Sequence, residues 1–251
     1  MSEQNTVGEL FLKTFGGAVL KDSSGRVVDL QPKPLALLVL LRLAAPASRR
    51  ELERFLWHGV RGDTGNSLSQ ALGPLRRYFP DLPKGKGSIL WAGRERLACD
   101  VDILREGERD PAAAGRAVFA YEGVFFKDFR TEEGEEEFRH WMQQRQDEFE
   151  SLFRRLWQEE AARAVDAGEW ERLEKLARHA VALDRFWQPG HAALVRALAS
   201  SGNPEAARRY FAGVRRQFED QHGGFPLDEV LLEAGERIHE WAASSSGARV
   251  L

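Results

Sequence analysis

Along this 251-residue chain the hydrophobic positions recur first on a strand period and then on a helical one, and the change of period separates its parts. Leu10 and Leu12, Ala18 to Leu20 and Val27 to Leu30 are short strand-like runs split by Gly16-Gly17 and by Asp22-Ser23-Ser24-Gly25. They predict a small antiparallel meander. Gln31-Pro32-Lys33-Pro34 opens a helix, since proline is tolerated in a first turn. Leu35 to Ala45 is nearly all apolar, which makes this helix the hub of a core, stopped by Pro46. Ser48, with Glu51 three residues on, forms a capping box for the next helix.

The stretch from Ser48 to Tyr78 predicts two short helices joined by a polar, glycine-containing turn. On a wheel of about 3.6 residues per turn, Leu68, Ala71, Leu72, Leu75 and Phe79 share one side of the second helix. Asn66, Gln70, Gly73 and Arg77 share the other, with Ser69 and Arg76 flanking. Leu52, Phe55, Leu56 and Trp57 supply the inward side of the first helix. Amide and guanidinium groups can grip a base edge with two hydrogen bonds at once, so the pattern fits a helix-turn-helix reader of DNA as well as plain core architecture. Pro80 to Gly87, Ser88 to Trp91 and Arg96 to Val101 then predict a β-hairpin carrying Lys84, Lys86, Arg94 and Arg96. Strands, three helices and a closing basic hairpin make a winged helix, although a solvated hairpin tip would carry the same cations.

Glu106 to Asp110 is polar and is expected to mark a domain boundary, giving a winged helix over 1–105, a helical domain over 106–243 and a disordered tail over 244–251. Helices are predicted at 111–121, about 135–167, 170–182, 189–201, 204–221 and 227–243. Gly168 and Gly202 stand 34 residues apart, and the same offset pairs Ala164 with Leu198, Val165 with Ala199, Leu173 with Ala207 and Ala180 with Val214. A period of 34 is that of tetratricopeptide helix hairpins, which stack into concave protein-binding surfaces. The expected fold class is therefore mainly α: an N-terminal winged helix-turn-helix (α+β) followed by an all-α tetratricopeptide-like helical-repeat domain.

Charge sharpens this division. Residues 1–100 hold 15 Lys and Arg against 10 Asp and Glu, a net of +5, while 101–251 hold 21 against 29, a net of −8. A basic front and an acidic back fit a first domain that meets a polyanion and a second that meets protein, and possible pairing into a homodimer follows from the apolar helix content. No apolar run is long enough for a membrane span and no leader-like start is present, so a soluble cytoplasmic chain is expected. Cys99 is the single cysteine, which excludes an internal disulfide and a thiolate zinc site.

Reaction chemistry is not visible. Gly85-Lys86-Gly87 lacks the spacing of a phosphate-binding loop, and the acidic run Glu132 to Glu137 suits the positive end of the long helix that follows it. The six histidines are scattered, and Trp141, Trp157, Trp170, Trp187 and Trp241 fall at helical core positions. No enzyme, cofactor, metal or small-molecule substrate is expected.

The order of motifs resembles that of the small bacterial antibiotic-regulatory activators, the SARP and AfsR-like group, which join an OmpR-like winged helix to a bacterial transcriptional activation domain. The markers are Lys33-Pro34-Leu35-Ala36-Leu37-Leu38, Arg50-Glu51-Leu52 with Leu56-Trp57, and Asn66-Ser67-Leu68 with Gln70-Ala71-Leu72 and Leu75-Arg76-Arg77. Tyr121-Glu122-Gly123, Trp141 with Arg145, Ala180 to Asp184 and Gly223 to Pro226 follow in the second half. The resemblance covers roughly residues 8–243 and implies binding to double-stranded promoter DNA and contact with RNA polymerase. The residues expected on bases are Asn66, Gln70 and Arg77. Ser67, Arg76, Lys84, Lys86, Arg94 and Arg96 are expected on phosphate, with a further backbone contact from Arg49 and Arg50. Where the family usually carries three arginines this chain has Gly65, Ser69 and Gly73-Pro74. Proline inside a helix costs about 3 kcal/mol, so the reader is expected either to break at Gly73 and restart or to kink. The alternative function is a helical-repeat adaptor whose winged helix binds DNA weakly or not at all.

Overall fold

The computed structural model describes residues 10–44, 48–57, 64–82, 97–127, 129–130, 135–220 and 226–247. The chain divides into two compact units, Met1–Phe153 and Arg154–Leu251. Among the described residues no helix is long and apolar enough to cross a membrane.

The first unit opens with the expected meander: β1 (Phe11–Lys13), β2 (Val19–Lys21) and β3 (Val27–Val28), each antiparallel to the one before. Leu12 lies opposite Leu20, both fully buried, so the period-two alternation sets the register. Three helices follow, α1 (Pro32–Leu43), α2 (Arg49–Trp57) and α3 (Thr64–Leu75). Pro32 occupies the first helical position of α1, and Ala36 to Leu41 are buried around the whole circumference, as a hub helix requires.

Beyond α3 the structure departs from the sequence reading. Within the stretch Arg96 to Val101, read as the second strand of the hairpin, the described residues do not continue as a strand to Val101. The strand there is β4 (Ala98–Cys99), which pairs parallel with β1 and completes a sheet of order β3-β2-β1-β4. The chain then turns at once into α4 (Asp100–Arg109), so the polar stretch expected as a domain boundary is the last turn of a helix. The reason is Asp100. Its carboxylate, 4% exposed, accepts hydrogen bonds from the Thr14 backbone N–H (2.7 Å), the Thr14 hydroxyl (2.6 Å) and the Phe15 N–H (2.8 Å) just past β1. Burial pushes this carboxyl above its ordinary value, while the bonds from Thr14 and Phe15 act in the opposite sense.

A shorter helix, α5 (Ala114–Ala120), occupies part of the predicted 111–121 span. Next, the segment after it runs back along the end of β1, with the Phe126 N–H bonded to the Thr14 carbonyl at 2.7 Å. The long helix α6 (Glu136–Asp166) begins there, as predicted. Phe15, Tyr121, Phe125 and Phe149 meet with ring centroids 4.8 to 6.3 Å apart, largely edge-on, and form an aromatic core at the end of β1.

The second unit takes the end of α6 and adds α7 (Trp170–Leu183), α8 (Gln188–Ser200) and α9 (Pro204–Glu219). The predicted 227–243 helix is instead two, α10 (Glu229–Glu236) and α11 (Ile238–Gly247), parted at Arg237, so α11 takes in 244–247 of the expected tail. The 34-residue offset is repeated bond for bond. Gly168 N–H donates to the Val165 carbonyl and Glu169 N–H to that of Ala164; Gly202 and Asn203 do the same to Ala199 and Leu198. Both glycines hold positive φ (68° and 88°), the left-handed cap that ends a helix and starts its hairpin partner. Leu173, Ala207, Ala180 and Val214, the residues paired by that offset, are all buried.

One buried histidine ties this unit together. His191 Nε2–H donates to the Arg185 carbonyl (2.9 Å), which leaves Nδ1 to accept from the Tyr210 hydroxyl at 2.7 Å. The neutral Nε2–H tautomer satisfies both. Burial holds its pKa below the ordinary 6.5, against the opposing pull of the Arg185 carbonyl and Asp184, and pushes the Tyr210 phenol up to about 12.

Two outcomes follow from these contacts. Asp100→Ala strands two buried backbone N–H groups and should lower the unfolding free energy by about 3 kcal/mol, measured by urea denaturation; Asp100→Asn, which keeps one acceptor oxygen, should lose less. The unfolded chain protonates His191 below about pH 6.5 and the folded chain does not. Stability contributed there is therefore full above that pH and falls as the pH drops toward the lowered folded value. Thermal melts from pH 8 to 5 should show this decline, and His191→Gln should flatten it.

Candidate nucleic-acid interface

The α2–α3 pair is assembled by local rules. Ser48 and Glu51 close the predicted capping box in both directions, the Glu51 N–H donating to the Ser48 hydroxyl (3.2 Å) and the Ser48 N–H to the Glu51 carboxylate at 2.6 Å. Leu52, Leu56 and Trp57 are buried from α2, with Phe55 half-buried. From α3, Leu68, Leu72 and Leu75 are buried completely, and Ala71 and Phe79 nearly so. The opposite side, Asn66, Ser69, Gln70 and Gly73, is exposed, with Ser67 half-buried at its edge. The amphipathic division read from the sequence is thus the observed one.

Pro74 neither breaks the helix at Gly73 nor restarts it. α3 continues through Pro74 and ends at Leu75. The proline sits in the last turn, where loss of one i to i−4 bond interrupts nothing downstream. In consequence Arg77 is not on the helix. It is exposed in the turn that follows, its N–H bonded to the Pro74 carbonyl at 3.3 Å, and Arg76 beside it is half-buried. Among the described residues, the side chains of Gln70 and Arg77 make no hydrogen bond or ion pair.

Of the two arginines that open α2, Arg50 is exposed, while Arg49 reaches α3 and donates from Nη2 to the Ser69 hydroxyl at 2.9 Å. A guanidinium therefore lies against α3 beside Gln70, at a position where the helix itself offers only serine. Arg42, on α1, is turned the other way, toward the Leu97 carbonyl (2.8 Å) and Asp102. Lys84, Lys86, Arg94 and Arg96 of the expected wing lie outside the described residues.

Sequence reasoning missed what fixes the pair in place. Lys33 Nζ donates to the Leu56 carbonyl at the end of α2 (3.0 Å), lies 5.6 Å from the centroid of the Trp57 ring and forms an ion pair with Glu135, which is 1% exposed. Arg54 of α2 pairs with Glu137 in the first turn of α6 at 2.7 Å. The acidic run before α6 was legible only as a favourable helix start, because its cationic partners are far away in sequence.

The described elements define a winged-helix fold followed by a helical domain. Neither a family model nor a curated protein sequence matches the chain. Among solved structures, the chain is similar to "Mycobacterium tuberculosis EmbR in complex with low affinity phosphopeptide", with 16% identity and a TM-score of 0.60 over 95% of this chain and 69% of that one. At that identity the likeness is one of fold.

Removing one member of a buried ion pair leaves the other uncompensated. Lys33→Ala should therefore destabilise the protein by about 3 kcal/mol, and Lys33→Met with Glu135→Leu should recover most of that loss in urea denaturation. An equal loss in the double variant would show that the pair is not what holds α1 to α6.

Proposed function

We propose that this protein is a DNA-binding transcriptional regulator of the SARP and AfsR-like kind, acting as an activator. In this reading a winged helix over 1–105 binds promoter DNA, and the helical domain over 106–243 contacts protein partners, RNA polymerase among them. The observation that carries it is the outward face of α3. Asn66 and Gln70 are exposed on a helix whose other side is fully buried, the arrangement by which a second helix enters a major groove. The family markers in the sequence and the likeness of fold to EmbR support the same reading.

The roles follow from reach. Gln70, unengaged and exposed, offers the amide pair that reads adenine, and Asn66 lies one turn earlier on the same face. Arg49, braced on Ser69, supplies from α2 a guanidinium that α3 lacks at position 69, and Arg77 supplies another from the turn after the helix. Ser67, Arg50, Arg76 and the wing cations Lys84, Lys86, Arg94 and Arg96 meet phosphate. A net of only +5 over the first hundred residues makes affinity depend on these few groups.

A second reading is favoured by the bare backbone at Gly73-Pro74 and the missing arginines: a helical adaptor whose winged helix is a scaffold. Gel-shift titration of the full chain on genomic promoter fragments across a salt series separates the two. A regulator shows steep salt-dependent retention. Gln70→Ala should cost about 1 to 3 kcal/mol at a cognate site, and Lys86→Ala should mainly flatten the salt slope. Absence of salt-dependent retention would leave the adaptor reading.

A further inference from the structure

Within the second unit lies a cavity of about 450 Å³ that the DNA reading does not use. Its volume is in the range of small-molecule sites. The walls are Trp157, Ala161, Leu173, Ala192, Ala234 and Trp241, from α6, α7, α8, α10 and α11. Most of this lining is apolar, and the charged groups on it are unevenly matched. Arg237 is paired with Glu233 and Glu240, both at 3.1 Å. Arg196 has no such ion pair among the described residues. Its guanidinium lies 5.4 Å from the centroid of the Trp241 ring, and its buried Nε finds no acceptor. Asp166, also on the lining, offsets its charge only at longer range.

We propose that this cavity binds a small aromatic carboxylate, its ring between the Trp157 and Trp241 walls and its carboxylate on Arg196. The geometry makes the choice of occupant. An unpaired guanidinium beside an apolar hollow is satisfied by an anion with an apolar body, and a carboxylate matches its planar fork with two parallel hydrogen bonds. Trp157 is 3% exposed and already donates its indole N–H to the Leu176 carbonyl (2.8 Å), so it is a fixed wall rather than a mobile one. Burial and the neighbouring Arg237 press against the charge of Arg196, and a bound anion would relieve both. This site stands whether or not α3 reads DNA. It gives the chain a place to sense a metabolite, and no local motif announces it because five helices build it.

The test is calorimetric titration of the full chain with indole-3-acetate and 4-phenylbutyrate, each against its neutral amide. The carboxylates should bind and the amides bind at least about tenfold more weakly. Arg196→Gln should abolish that preference, and Ala193→Trp, which fills the cavity from a half-buried wall position, should block both classes. Circular dichroism shows that each variant is folded. Absence of binding by either carboxylate overturns the proposal, as does equal binding of acid and amide, or a carboxylate affinity indifferent to Ala193→Trp.

Discussion

Helix α3 has its orientation because a lysine at the start of α1 is held on three sides. Lys33 meets the last carbonyl turn of α2, the Trp57 ring and the buried carboxylate of Glu135. A charge pair with one member almost wholly out of water is costly unless both partners are saturated with contacts, and here they are. The effect is positional. α2 cannot shift without pulling Lys33 from Leu56, and the start of α6 cannot shift without leaving Glu135 unpaired. Since α3 packs on both α1 and α2, the face it turns outward is set by a contact it does not itself make.

Asp100 does for the sheet what Lys33 does for the helices. One carboxylate gathers the N–H groups of Thr14 and Phe15 at the end of β1 and, from the first residue of α4, fixes where β4 must stop. The same end of β1 carries Phe15 into the aromatic cluster with Tyr121, Phe125 and Phe149. Sheet, α4 and α6 thus share one anchoring region, and the first compact unit runs well past the winged-helix elements to Phe153. The exposed face of α3 is therefore presented from a base fixed at several points, and a surface held in place loses less conformational freedom in any contact it makes.

Much of the candidate site depends on a few groups rather than a field of charge. Arg49 reaching across to Ser69 shows how a cation can be supplied to the α3 face from a neighbouring helix when the helix's own sequence lacks it. Position along a wheel is therefore an incomplete guide to surface chemistry, since a long side chain borrows from the element beside it. The helical unit repeats the lesson at Arg196, whose surroundings come from four other helices.

Where structure follows from neighbours a few residues apart, the sequence was sufficient. The Ser48–Glu51 box, the buried side of α3, the proline start of α1 and the paired caps at Gly168 and Gly202 all rest on contacts within about two helical turns, which the order of residues alone specifies. Arg77 leaving the helix and Arg237 dividing α10 from α11 lay at the edge of that range, because helix ends respond to tertiary packing. The parallel pairing of β4, the helix start at Asp100, the partners of Lys33 and the cavity around Arg196 were decided only by folding. Each joins residues whose proximity requires the chain to close on itself, and periodicity carries no information about which distant residue will be found there.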